Sequence, residues 1–389
     1  MFVTEPEQIV GRELIDIYEK VTNGKRLTIE DGVRLAKHPD LSAVGYLANI
    51  VRERINGNVT YFIRNQHINY TNICNKFCKF CCFYSKKDGG PEPYEYSREE
   101  VMNRVRWHID EPITEIHMVG GVNPRLPYEY YMDIIRGIKE VRPDVYVKAF
   151  TTVELVQIAE VGKVSITQAL KDLREAGLDS PTGGGIEILS DRVHQELFDR
   201  KLDGSQWKEI SREVAKAGLP HYATMLYGHI ETIEERIDHL VQLRELQDET
   251  GHILAMTPLS FKPESTELEH LHGPTGELDL RMLALCRLML DNIDHIKSFW
   301  IMNTPEITQI AQWYGADDAD GTVFEYEITY EDGKFGDKKQ VLTYPNMLKM
   351  IRAAGRVPVE RDSLYNILDR PGKEIEVNQK SRLTPLPTI

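Results

Sequence analysis

NYTNICNKFCKFCCFY, residues 69–84, holds four of the chain's five cysteines between Cys74 and Cys82. Cys74, Cys78 and Cys81 form a C-x3-C-x2-C run just after a strand-like stretch, HINYT (67–71). Three thiolates on one short loop can each take a corner of a cubane [4Fe–4S] cluster. The fourth iron then stays open to an exogenous ligand, whereas a ferredoxin closes it with a fourth cysteine and only moves electrons. A structural zinc wants four tetrahedral ligands, and the run lacks paired C-x2-C spacing. Cys82, adjacent to Cys81, is badly placed for the same metal and reads as a small core residue. Cys286 lies far along the chain in an expected helix.

Outside this loop the chain reads as an ordinary globular protein of 389 residues, 41% hydrophobic and 28% charged. The N-terminus, MFVTEPEQIVGRELIDIYEK, has no basic segment followed by an apolar run, so no secretory signal is expected. Crowded cysteines without such a signal point to metal binding in a reducing cytoplasm. No stretch of 18 apolar residues is present, so no membrane span is expected. A net charge of −14 argues against nucleic-acid binding but leaves room for a small anionic substrate in a locally basic pocket. Oligomeric state is left open.

The first 60 residues carry helical spacing in LIDIYEKV, in LTIEDGVRLAK with Thr28 as N-cap, and in LSAVGYLANIVRERI. They are expected to form an N-terminal helical cap. Over 61–320, short apolar runs alternate with amphipathic helices. Strands are expected at 67–71, 115–119, 145–150, 185–189, 220–226, 253–261 and 296–302. Helices are expected near 97–109, 128–141, 166–176, 192–217, 231–249 and 279–292. Such alternation implies an α/β fold with parallel strands and right-handed crossovers. The number of units suits a (β/α)8-type barrel, full or partial, more than an open sheet. Residues 321–389 read as a C-terminal extension: a polar strand pair or excursion over 322–344, a helix at 345–354, and a weakly ordered tail from Arg370.

Active sites of such barrels lie where strands end at the C-terminal edge, and further candidates fall there. EIHMVGGVNP ends its strand in Gly120-Gly121, where missing side chains let a backbone approach a ligand. TGGGIEIL places Gly183–Gly185 and Glu187 around another strand. Glu187 can contact the ligand of the open iron or pair with a lysine, and Phe80 can stack on that ligand or pack its own loop. Asn72 and Thr151 are taken as further cofactor contacts. His117, Lys148, Thr151, His229, Arg200 and Lys201 are candidates for binding a small anionic substrate, with a structural role the default for any histidine. A solvated helix face is the default for Arg200 and Lys201. His117, His229 and Glu187 are taken as catalytic. Asp317, Asp318 and Asp320 in GADDADGT can bind ribose hydroxyls or cap a loop, and their spacing is not that of an EF-hand.

The cysteine loop with Phe80, followed by a strand ending in a glycine pair, resembles the radical S-adenosylmethionine (SAM) superfamily. YTNICNKFCKFC, HMVGGVNPRLPYEYY, KAFTTVEL, GGGIEIL, TMLYGHIET, PLSFKPE, GADDADGT and GRVPVERD are similar to one branch of it. That branch holds the aminofutalosine synthases of menaquinone biosynthesis, the dehypoxanthine futalosine cyclases and the F420-precursor synthases. The likeness runs over residues 60–365. Two departures stand out: Val122 follows the glycine pair where many members carry Glu, and Cys82 stands where alanine is common. The resemblance implies a [4Fe–4S] cluster on Cys74, Cys78 and Cys81 with SAM on the open iron. It further implies a reductant such as flavodoxin or ferredoxin, and addition of the 5′-deoxyadenosyl radical to 3-[(1-carboxyvinyl)oxy]benzoate. Rearrangement and decarboxylation then give 6-amino-6-deoxyfutalosine. The alternatives are the sister cyclase, which would instead abstract a ribose hydrogen, an F420-precursor synthase-like enzyme, and, in another class, a non-catalytic iron–sulfur carrier.

Overall fold

The computed structural model describes residues 5–85, 91–198, 200–322 and 342–368. Most of the 322–344 segment and the tail from Arg370 therefore lie outside the described residues. Nine strands are described: β1 (Val59–Ile63), β2 (Asn65–Ile68), β3 (Glu115–Met118), β4 (Tyr146–Ala149), β5 (His221–Tyr227), β6 (Ile253–Ser260), β7 (His295–Ile296), β8 (Asp318–Gly321) and β9 (Val357–Glu360). All their pairings are parallel, in the orders β8-β1-β9, β2-β3-β4 and β5-β6-β7.

Backbone hydrogen bonds join these three groups into a ring. Arg64 alone separates β1 from β2, so the two act as one bent strand. A parallel bridge from Lys297 to Asp318 links the end of β7 to β8. Between β4 and β5 lies the segment 180–189. It bridges to β4 at Lys148–Ser180 and reaches β5 through Leu226 N–H to the Glu187 carbonyl at 2.8 Å. Eight positions thus circle the axis.

Two expected strands come out differently. GIEIL (185–189) is irregular because Gly183, Gly185 and Glu187 all take positive φ (74°, 100° and 57°), which breaks a regular ladder. IKSFWIM keeps only Ile296 in a strand before turning into a short helix.

Four helices precede the ring: α1 (Pro6–Val10), α2 (Ile15–Thr22), α3 (Ile29–Lys37) and α4 (Leu41–Asn56). Around it follow α5 (Arg98–Trp107), α6 (Tyr128–Val141), α7 (Thr152–Gly162), α8 (Ile166–Ala176), α9 (Asp191–Leu197) and α10 (Gly204–Lys216). The remainder are α11 (Ile233–Thr250), α12 (Gly276–Met289), α13 (Trp300–Asn303), α14 (Pro305–Ala311) and α15 (Tyr344–Ala353). The single helix expected over 192–217 is two, because Asp203 caps a fresh start at α10. α7, β1 and β9 were not anticipated. α4 buries Val44, Leu47, Ala48 and Val51 in the same apolar core as Leu283 and Met289 of α12 and Met256 of β6. Arg52, itself buried, ties α4 to the ring by donating to the carbonyls of Gly57, Val59 and Ala316.

β9 sits on the edge of β1 opposite β8, and Arg361 N–H donates to the Phe62 carbonyl at 3.0 Å. The chain's last described segment therefore closes one end of the ring. Ser363 Oγ donates to the buried Glu115 carboxylate at 2.7 Å. Gly183 is a position the closure depends on, since a Cβ there would lie 1.7 Å from the Tyr222 carbonyl oxygen. Gly183→Ala is expected to lower stability by roughly 2 kcal/mol or more through positive-φ strain and displacement of the 180–189 segment from β5. Denaturant unfolding with a midpoint equal to that of the natural chain would refute this.

Candidate active site

The cysteine loop leaves β2 and turns back across the C-terminal ends of the strands. Its course is fixed by hydrogen bonds. Asn75 N–H donates to the Val122 carbonyl at 3.1 Å, Lys79 N–H to Leu197 at 3.2 Å, and Cys81 N–H to Cys78 at 3.1 Å. Gly121 is what permits the loop to lie so close to the end of β3, because a Cβ there would sit 2.3 Å from the Ile73 carbonyl oxygen. At Gly120 a Cβ would meet the Tyr70 ring at 2.9 Å. The glycine pair therefore serves the packing of the loop. Gly120 also lines the cavity described next, and Gly121 does not.

A cavity of about 330 Å³ opens within the ring beneath the loop, within the usual size of a small-molecule site. Cys74, Cys78, Cys81 and Phe80 form its roof, with Cys82 beside them. Among the described residues no three His, Cys, Asp or Glu side chains converge on one point as a single ion requires. Three cysteine thiols lining one cavity suit a cubane, whose corners are separate irons. Burial pushes the Cys78 thiol up to about 12 and Cys81 up to about 11. A coordinated metal would remove those protons outright. The donor set fits an iron–sulfur cluster held by three cysteines.

One wall is the irregular segment, with Gly184, Gly185 and Glu187, facing Thr151 at the start of α7. The Glu187 carboxylate pairs with Lys201, whose side chain is only 5% exposed and packs against the Phe80 and Phe198 rings at 5.2 and 4.6 Å. Lys201 is thus a buried neighbour of the cysteine loop and not part of a solvated helix face. Arg200 lies over the Phe77 ring at 5.6 Å.

The floor is a layer of polar side chains from different strands. His67, His117 and Lys148 stand in register on β2, β3 and β4, and Lys297 and Asp320 face them from the other side of the ring. His67 and His117 stack at 4.5 Å with 6° between their planes. Burial holds His67 down at about 4 and, with repulsion from His67 and Lys148, keeps His117 well below the usual histidine range. Both rings are neutral near pH 7, so His117 lines the site but offers a carboxylate no charge. Lys297 pairs with Asp320 at 2.7 Å.

Two expected contacts lie outside the cavity lining. The Asn72 side chain is not among the cavity-lining residues, and it donates to the Glu92 carbonyl at 2.9 Å and accepts from Tyr94 N–H at 2.8 Å. His229 is buried against Glu231 at 2.9 Å and the Leu226 carbonyl at 3.1 Å, so it orders the turn after β5 and does not reach the cavity. Asp317 pairs with Arg287 at 2.5 Å and His295 at 2.6 Å, and Asp318 with Arg361 at 2.6 Å, which leaves Asp320 as the cavity member of that trio.

Glu154, Lys297 and His67 were not singled out from sequence. Glu154 had a readable signal, since Thr151-x-x-Glu154 forms a capping box at the N-terminus of α7. Its carboxylate also accepts from Tyr70 O–H at 2.6 Å and Gly120 N–H at 3.0 Å. Lys297 and His67 gave none, for each acquires meaning only from the opposite side of the ring.

Residues 68–243 match the radical SAM superfamily and residues 250–374 the CofH/MqnC C-terminal region. Aminodeoxyfutalosine synthase of Thermus thermophilus is 43% identical over 356 residues, 90% of this chain and 95% of that protein. The chain belongs to the radical SAM superfamily. Members of this superfamily use a [4Fe–4S] cluster and SAM, with a small-molecule substrate and an electron donor. The aminodeoxyfutalosine synthase of Streptomyces coelicolor is 39% identical, over 91% of this chain and 93% of its own length. The cyclic dehypoxanthine futalosine synthase of Halalkalibacterium halodurans is 35% identical, over 90% and 94%. Among solved structures, methylornithine synthase (PylB) aligns with a TM-score of 0.69 at 17% identity, covering 88% of this chain and 97% of PylB. HydG, a maturase of the [FeFe]-hydrogenase, aligns at 0.70 and 15%, covering 91% and 77%. At these identities they establish the fold alone. No described helix is long and apolar enough to cross a membrane.

Burial raises the Glu154 carboxyl to about 7, against its hydrogen bonds from Tyr70 and Thr151. The folded chain thus holds this proton more tightly than the unfolded chain does. The stability it contributes is fully present below about pH 4.5 and is lost as the pH rises through about 7. Unfolding free energies measured from pH 5 to 8 should show the natural chain losing on the order of 2–3 kcal/mol relative to Glu154→Gln. Parallel pH profiles for the two would contradict this.

Proposed function

We propose that this enzyme joins the 5′-deoxyadenosyl group of SAM to the enol-ether double bond of 3-[(1-carboxyvinyl)oxy]benzoate. Rearrangement and loss of carbon dioxide then give 6-amino-6-deoxyfutalosine for menaquinone biosynthesis. The observation that carries this reading is the pair of aminodeoxyfutalosine synthases, 43% and 39% identical across nine-tenths of the chain. A cyclase reading draws on a 35% relative and stands second.

When bound and reduced by a one-electron donor such as flavodoxin or ferredoxin, the cluster with SAM supplies methionine and the 5′-deoxyadenosyl radical. The chain's own residues bind, orient and exclude. Cys74, Cys78 and Cys81 are the cluster ligands, in keeping with their shared place in the cavity roof. Gly120, Thr151, Gly184 and Glu187 flank the adjoining wall and orient the cofactor. The missing acid after the glycine pair leaves Glu187, already held by Lys201, as the acidic group on that wall. Phe80, Leu226, Leu259 and Phe261 give the cavity apolar sides that exclude water from a reactive species. Lysines in the lining suit an anionic substrate.

Anaerobic incubation of the reconstituted protein with reductant, SAM and 3-[(1-carboxyvinyl)oxy]benzoate should yield, by mass spectrometry, an adenosine-containing adduct short by one carbon dioxide. Release of 5′-deoxyadenosine with no adduct would return the substrate to question, and turnover of dehypoxanthine futalosine would favour the cyclase. Replacement of Cys74, Cys78 or Cys81 by Ala should abolish the SAM-responsive cluster signal in electron paramagnetic resonance, and Cys82→Ala should retain it. Equal iron loss in the Cys82 variant would sink the ligand assignment.

A further inference from the structure

Lys148 is buried, 4% exposed, on the inner face of β4, yet it faces the cavity and makes no salt bridge or hydrogen bond among the described residues. Its ammonium rests on the Tyr222 ring at 3.6 Å, which leaves its three N–H donors without an acceptor. Lys297, the other deep ammonium of the floor, is neutralised by Asp320 at 2.7 Å. Asp320 is itself 4% exposed and held at φ +60°, with its second oxygen, Oδ2, buried without a partner among the described residues. Beside this charge arrangement the rings of Phe299, His67 and His117 form a wall of near-parallel planes. Neighbouring pairs lie 6.4 and 4.5 Å apart and differ by 11° and 6°.

We propose that Lys148 is the anchor for an aryl carboxylate, its ammonium taking the carboxylate while the stacked wall faces the arene. Asp320 sets the subsite's charge by cancelling Lys297, so that one carboxylate is accepted and a second anion on that side is repelled. The site rests on the proposed reaction only for the name of its substrate, because a desolvated ammonium beside the edges of a stacked row of rings would select a benzoate, packed edge to face, whatever follows.

The electrostatics agree with this geometry. Burial, with repulsion from Lys297 and Arg361, brings Lys148 down to about 8, against attraction from Glu115 and Asp320. His67 and His117, the titratable neighbours on β2 and β3, are neutral there. Lys148 is therefore charged at pH 7 but poorly compensated, and a bound carboxylate supplies what its surroundings lack.

The test is calorimetric titration of the reconstituted, SAM-loaded holoenzyme with benzoate, with benzyl alcohol as the control lacking the charge. The natural protein should bind benzoate and not benzyl alcohol. Lys148→Met should raise the benzoate Kd at least about tenfold, the scale of a lost charge-assisted contact, and Lys148→Arg should restore part of it. SAM affinity and iron content should stay unchanged in both. Asp320→Asn should move the other way and tighten benzoate binding severalfold by unmasking Lys297, a direction that a structural defect would not produce. Benzoate binding unaltered in Lys148→Met overturns the proposal. Should that variant not fold, unaltered or weakened binding in Asp320→Asn overturns it. These shifts without an adenosyl adduct in the product assay would uphold the subsite while the reaction reading fell. An adduct formed by Lys148→Met at unchanged KM would overturn the subsite and leave the reaction reading in place.

Discussion

Three strand ends and the loop that follows them meet at one buried carboxylate. Glu154 accepts from Tyr70 just beyond β2, from Gly120 just beyond β3, and from the Thr151 backbone just beyond β4. A carboxylate sealed from water costs free energy unless its lone pairs are filled, so the three donors and the acceptor hold one another in place. The cysteine loop lies on the surface they define, and Gly121 completes the fit by leaving room for the Ile73 carbonyl. Positions of the loop cysteines, the glycine turn and the start of α7 therefore depend on one another, although 84 residues separate Tyr70 from Glu154.

Most of the barrel could be read from the chain because buried parallel strands are apolar runs set between amphipathic helices. EIHMV and VYVKAF lie where expected for that reason, while the strand expected at HINYT (67–71) begins earlier, at Asn65, and ends at Ile68. GIEIL misled because its apolar pattern is a strand's while its backbone is not. Two glycines at positive φ gave a hint, but Glu187 in the same region gave none. β1 and β9 escaped notice because short strands with mixed residues carry little periodicity, and each is a strand through partners distant in sequence, β8 and β9 for β1 and β1 for β9.

Within the site, the cysteines were legible because ligand spacing is local. Asn72 and His229 were read as functional because they sit beside motif residues, yet backbone groups next to each absorb their polar atoms. The floor was mostly illegible for the opposite reason. Lys148, Lys297 and Asp320 lie on β4, just after β7 and on β8, and their charge relations exist only once the ring has closed. A sequence displays candidate charges, but which of them remains uncompensated is a property of the fold.

The pairing of β1 with β9 has a bearing on how the protein is made. Residue 63, where β1 ends, leaves the ribosome 294 positions before Val357, where its partner begins. At typical rates of synthesis that interval is roughly 15–60 s. Throughout it, one edge of β1 offers unpaired backbone groups, the kind of edge that recruits other chains. The nascent protein thus carries an open seam for most of its birth. The seam closes only when the last turn of sheet, β9, arrives.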